Sequence, residues 1–106
     1  MDVIDKQIDA YNAHDVEAFF ACYAPDAVIE DGRSNVLMRG KEAIRAEYEP
    51  FFHDFPSLRG EVIQRISLGE WTVDEEVITG WQPEPVAAVV AYHVEHGRID
   101  RVLLLS

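Results

Sequence analysis

The clearest chemical potential in this sequence lies in the two carboxylates that close the run Pro25-Asp26-Ala27-Val28-Ile29-Glu30-Asp31-Gly32. Side chains alternate along a strand, so Ala27, Ile29 and Asp31 share one face while Val28 and Glu30 share the other. Asp31 thus ends an otherwise apolar face. A carboxylate so placed is either solvated at a rim or turned into a pocket, where desolvation raises its pKa and makes it a proton acceptor. Asp31 is the candidate base, and the sequence leaves both alternatives open.

Other polar groups have blander explanations beside their chemical ones. Gln7 falls between Ile4 and Tyr11 on the apolar side of a helical pattern, where its amide needs a partner from backbone, water or ligand. Asp74-Glu75-Glu76 reads as a solvated charge run, although Glu75 shares the alternating face of Trp71, Val73, Val77 and Trp81 and would carry a second carboxylate into a pocket. His14, His53 and His96 sit in or beside turns and helix ends without ligand spacing, so no metal site is expected. Cys22 is the single cysteine. It permits no intrachain disulfide, and beside an apolar stripe it reads as an inert small hydrophobe.

Composition bounds what these groups can serve. With 106 residues, 48% of them hydrophobic, the chain has the length for one domain with one core. Twenty Asp and Glu against nine Lys and Arg give a formal net charge of −11, which repels phosphate backbones and anionic lipid surfaces. Neither nucleic acid nor membrane is an expected partner. The acidic start, the lone cysteine and the lack of a long apolar segment lead to the expectation of a cytoplasmic protein.

The positioning elements follow from hydrophobic period. Ile4, Ile8 and Tyr11 mark a short amphipathic helix near residues 2 to 13. Asp15 is a good N-cap for a second, near residues 15 to 23, with Val16, Phe19, Phe20 and Tyr23 on one side and Pro25 as its stop. After the Asp31 strand, Gly32-Arg33-Ser34-Asn35 reads as a turn and Val36-Leu37-Met38 as a returning strand. Ile44, Tyr48, Phe51, Phe52 and Phe55 predict a third helix near residues 40 to 55, kinked or broken near Glu49 by Pro50. From Leu58 the period becomes alternating. Glu61 to Leu68 and Trp71 to Trp81 form a long antiparallel pair, and the apolar stretches Val86 to Glu95 and Ile99 to Leu105 form the centre of the sheet.

This order of elements predicts an α+β fold with helices on one face of a curved antiparallel sheet. The runs Tyr11-Asn12-Ala13-His14-Asp15, Tyr23-Ala24-Pro25-Asp26-Ala27-Val28-Ile29-Glu30-Asp31 and Arg39-Gly40-Lys41-Glu42-Ala43-Ile44 are similar to the nuclear transport factor 2-like superfamily. Within it, the chain resembles the SnoaL-like and ketosteroid-isomerase-like branch, as do Gln64 to Gly80 and Tyr92-His93-Val94 through Ile99. The resemblance implies a cone-shaped, cystatin-like sheet around a mostly apolar cavity in a homodimer.

It also implies roles. Asp31 matches the position of the isomerases' catalytic base. The position of their helix tyrosine is taken by Gln7, and that of their second, protonated aspartate falls near Val90, so a true steroid isomerase is not expected. The cavity would be lined by Tyr11, Phe20, Tyr48 and Phe52 from the helices. Trp71, Trp81, Val90 and Tyr92 would line it from the sheet, with His93 facing outward. No cofactor is implied.

Two functions follow. One is proton transfer of isomerase, cyclase or lyase type on a small hydrophobic molecule, with Asp31 as base and Gln7 assisting. The other is a non-catalytic ligand-binding or dimerisation module. Apolar residues on both faces of the fifth strand, Ala87, Val89 and Ala91 against Val86, Val90 and Tyr92, predict a homodimer through the outer face of the sheet.

Overall fold

Helix α1 (Val3–Ala13) starts where the Asp2 carboxylate accepts a hydrogen bond from the Asp5 amide at 2.9 Å, and ends at His14 in the left-handed conformation. These and the following features come from a computed structural model describing residues 2–106. Asp15 caps α2 (Val16–Ala21) by accepting from the Ala18 amide at 3.1 Å. Between the two helices, Asn12 grips the backbone of Gly60 through two hydrogen bonds of 2.7 and 2.9 Å, and His14 Nε2 donates to the Leu58 carbonyl at 2.8 Å. The Asn-Ala-His-Asp run is therefore a clamp that ties the helical layer to the start of a distant strand.

The second helix is shorter than its pattern suggested. The Ile99 amide donates to the Cys22 carbonyl at 2.8 Å, which draws the chain into the sheet, so Tyr23 already belongs to β1 (Tyr23–Asp31). Pro25 is accommodated inside β1 because the pairing is interrupted between Tyr23 and Val28. Strand β2 (Val36–Arg39) returns along β1, and α3 (Lys41–Asp54) follows. The helix runs on through Pro50 rather than breaking at Glu49.

Strands β3 (Arg59–Leu68), β4 (Trp71–Thr79), β5 (Val86–Glu95) and β6 (Arg98–Leu104) complete a six-stranded curved sheet of order β2-β1-β6-β5-β4-β3. All neighbours are antiparallel except β1 and β6, which run parallel and correct the expectation of a wholly antiparallel sheet. A parallel neighbour needs a crossover, and the chain between β1 and β6 supplies it. Gly80 ends β4 with φ +77, and a Cβ there would stand 2.0 Å from the Ser57 carbonyl oxygen, so only glycine fits.

The helices cover one face of the sheet, and the core between them is aromatic. Phe19 is fully buried with Tyr11, Phe20, Tyr23, Tyr48 and Phe52 at ring separations of 5.1 to 6.1 Å. Burying one such ring contributes about 2 kcal/mol.

Strand register decides which side chains look inward. Arg65, Asp74, Val90 and Leu104 lie in one row, and Glu76 pairs with Ala88 in another. These rows face α1 and the core, as Val90 in the core cluster and Asp5 bonded to Arg65 require. The alternate row, Ile66, Val73, Ala91 and Leu103, faces away from the helices, as does Leu68 with Trp71 and His93. Trp71, expected in the cavity, is on the outer face, its ring tilted by 58° against that of His93 at 4.9 Å and with Arg101 over it.

Candidate functional site

A cavity of about 510 Å³ lies between α1, α3 and the inner face of the sheet. Its walls are mostly apolar, and all four tyrosines of the chain, Tyr11, Tyr23, Tyr48 and Tyr92, converge on it. Helical spacing places Gln7 and Tyr11 on one side of α1, and Tyr48 and Phe51 on one side of α3. Trp81 also lines the cavity, edge-on to Phe51 at 5.5 Å.

The one carboxylate set within the sheet wall is Glu76. It is 9% exposed, and its Oε2 accepts a hydrogen bond of 2.8 Å from the Tyr92 hydroxyl on the neighbouring strand. Burial pushes its pKa up, and nearby Asp74 adds to the rise, while the Tyr92 hydrogen bond and Arg65 oppose it. The tyrosines respond to the same environment. Tyr48 is pushed up to about 12 by burial and then by Glu76, and Tyr11 is raised further, so both hydroxyls stay protonated and able to donate.

Beside Glu76 is a second polar pair. Gln7 Nε2 donates to the Tyr23 hydroxyl at 3.3 Å, while Gln7 Oε1 is buried with no hydrogen-bond partner among the described residues. Gln7, Tyr23, Tyr92 and Glu76 all line the cavity and form a polar end through the Gln7–Tyr23 and Tyr92–Glu76 hydrogen bonds, and burial first of all raises both tyrosines.

Behind this wall, Asp74 is fully buried. Its two oxygens accept from Arg65 Nε and an Arg65 terminal nitrogen at 2.7 and 2.9 Å, and Arg65 also donates to Asp5 at 2.6 Å. This network fastens β3 and β4 to α1 and fixes the phase of β4 that turns Glu76 inward.

The sequence-derived site residues fall into three places. Gln7, Tyr11, Tyr48, Trp81, Val90 and Tyr92 line the cavity. Phe20 and Phe52 do not, being packed in the aromatic core at 1% and 4% exposure, and Trp71 is outside. Asp31 also lies away from the cavity, so the desolvated-base expectation is corrected. Its Oδ1 accepts from the amides of Arg33 and Asn35 at 2.7 and 3.0 Å, and its Oδ2 accepts from the Asn35 side chain at 2.9 Å. These bonds close the β1–β2 turn and hold its pKa below the usual carboxylate value rather than above it. A register shift between Ile29 and Glu30 helps set Asp31 at the turn.

Glu76 was overlooked because the more apolar face of β4 looked like the core face. Glu75, the carboxylate considered for the pocket, is on the outer face, hydrogen-bonded to Gln64 at 2.5 Å. The available signal was register: Tyr92 was already assigned to the cavity, and Glu76 falls on the same face of the sheet. His93 faces outward between Asp100 and Glu70, at 2.6 and 3.1 Å. Both carboxylates favour its charged form, the Asp100 hydrogen bond most.

A second, more open groove of about 1190 Å³ runs past the start of α1 and the β3–β4 turn, rimmed by Lys6, Asp9, Glu70 and Arg98. None of the tyrosines reaches it. No group of three His, Cys, Asp or Glu among the described residues is arranged to hold a metal ion, and no described helix is long and apolar enough to cross a membrane.

Fold and cavity together define the SnoaL-like class. The family model for the SnoaL-like domain matches residues 4–102, and the chain belongs to that family. Its structure is similar to that of an uncharacterised cystatin-fold protein from Novosphingobium aromaticivorans, at 26% identity and TM-score 0.88, covering 100% of this chain and 99% of that one. A proposed ketosteroid isomerase from Kribbella flavida is 25% identical at TM-score 0.77, covering 97% and 73% of the two chains. A proposed polyketide cyclase from Sinorhizobium meliloti shares the fold at 24% identity and TM-score 0.83, covering 96% and 92%. No curated protein matches the sequence.

Proposed function

We propose that this protein binds a small, mostly apolar molecule in the tyrosine-lined cavity and moves a proton on it, with Glu76 as the acid-base group. The observation that carries this is the Glu76 carboxylate, buried in the cavity wall, raised in pKa and held by the Tyr92 hydroxyl. A raised carboxylate pKa narrows the gap to a weakly acidic C–H and makes the carboxylate a stronger proton acceptor.

The tyrosines supply the second half. Neutral Tyr11 and Tyr48 hydroxyls, with no hydrogen bond to another described side chain, are donors for a ligand carbonyl oxygen. With the carbonyl polarised, the proton on the adjacent carbon passes to Glu76 and the electron pair moves onto oxygen as an enol or enolate. Return of that proton to a different carbon gives isomerisation; attack by the enolate carbon on an internal carbonyl gives ring closure. The family and the likeness to a proposed ketosteroid isomerase support this class of reaction.

The test is exchange of α-hydrogens of small ketones into deuterated water, followed by proton resonance. Glu76→Gln is expected to slow protein-dependent exchange by about 100-fold or more while ketone affinity is kept. Exchange in the variant as fast as in wild type overturns the proposal.

We further propose that two copies pair through the outer face of the sheet. Ile66 and Leu68 are 73% and 84% exposed there. They continue into the half-buried Trp71 and Val73, making an apolar surface that a second copy would cover.

A further inference from the structure

Gln7 Oε1 is the described buried side-chain oxygen that the chain leaves without a donor. Gln7 is 6% exposed, and its own NH2 is committed to Tyr23. A buried acceptor without a partner keeps its desolvation penalty, which a ligand donor placed there would remove. The charges of the cavity point the same way. No described lining residue is Lys or Arg, while Glu76 and Glu47 are both present. An anionic ligand would meet two carboxylates and no counter-charge in a site that already resists ionisation, as the raised Glu76 shows.

From these two observations we infer the polarity of the ligand: it carries no anionic group, and it presents a hydroxyl or N–H donor to Gln7 Oε1 at the end of the cavity where Gln7, Tyr23, Tyr92 and Glu76 meet. The inference rests on the proton-transfer function proposed above and narrows its substrate to uncharged, donor-bearing ring compounds such as hydroxylated aromatics. The donor is a specificity handle. It fixes which end of the molecule enters first, and so which C–H faces Glu76, because an analogue lacking it leaves the Gln7 oxygen unpaired.

Three probes of one ring size separate the possibilities: 2-naphthol, 2-methoxynaphthalene and 2-naphthoate, titrated by calorimetry at neutral pH into wild type and Gln7→Leu. Naphthol is expected to bind wild type about tenfold more tightly than the ether, which has the oxygen but no donor, and naphthoate is expected to bind weakest. Gln7→Leu is expected to bring naphthol down to the level of the ether while leaving the ether unchanged.

If naphthol and the ether bind wild type equally, or the preference survives in Gln7→Leu, the donor assignment is overturned and the cavity function stands. Naphthoate binding as tightly as naphthol overturns the exclusion of anions. Absence of binding by all three overturns both the inference and the cavity function. Should Gln7→Leu fail to fold, Gln7→Met, which keeps the length of the side chain and removes the amide oxygen, takes its place with the same expected outcome.

Discussion

Tyr92 donates its hydroxyl hydrogen to Glu76 Oε2 at 2.8 Å across the β4–β5 pair, in the wall of the cavity. The bond fixes one carboxylate oxygen and leaves the other for a ligand. Removing it with Tyr92→Phe is expected to raise the pKa of Glu76 further, because that hydrogen bond is the largest opposing influence on a pKa that burial raises. Turnover of an active ketone should fall about tenfold and its acidic limb, which Glu76 sets as the base, should move to higher pH, which a pH-rate profile reads directly.

Glu76 should also make the protein less stable as pH rises. Its folded pKa lies above its unfolded value, so the folded state holds the proton more tightly, and the ionised form carries a burial penalty. Stability therefore falls as pH climbs from the unfolded pKa through the folded one and levels off beyond it. Glu76→Gln, which keeps the shape and an acceptor for Tyr92, is expected to be more stable than wild type at pH 8 and about equal at pH 4, as measured by urea denaturation at the two values.

Asp31 has the opposite sign and a structural role. Its pKa is lowered by the Asn35 side chain and by the Asn35 and Arg33 amides, so its contribution is present above the ordinary carboxylate pKa and lost as pH falls through the folded one. Asp31→Ala should loosen the β1–β2 turn and lower the melting temperature slightly at pH 7. Turnover and ligand affinity should be unaffected. A large loss of turnover in a folded variant would return Asp31 to the chemistry.

Arg65 and Asp74 should behave as a unit. Arg65→Met leaves a fully buried carboxylate without its two donors, which is expected to cost about 3 kcal/mol or more. The double variant Arg65→Met with Asp74→Leu should recover most of that loss, and a double-mutant cycle by chemical denaturation measures the coupling.

Pairing through the outer face is tested by Ile66→Lys combined with Leu68→Lys. Both side chains are exposed in the single chain, so folding should be unchanged. Light scattering is expected to show a dimer for wild type and a monomer for the variant. A monomeric wild type would remove the interface from consideration.

The sequence by itself determined the succession of elements and the family. Ile4, Ile8 and Tyr11 at helical spacing, the cap at Asp15, and the change to alternation from Leu58 are local properties, and local properties are written in period and capping chemistry. Alternation, however, names two faces of a strand without saying which one is inside. On β4 the outward face, with Trp71, Val73 and Val77, is the more apolar, while the inward face carries Asp74 and Glu76. Only the register with Val90 and Ala88 on β5, and the anchoring of Asp74 to Arg65 and Asp5, decided that Glu76 faces the cavity. The place of Asp31 was likewise tertiary. Its run of apolar neighbours was correct, but a register shift after Ile29 and three hydrogen bonds from Arg33 and Asn35 hold the carboxylate in the turn, because short-range donors satisfy it there and outweigh its desolvation.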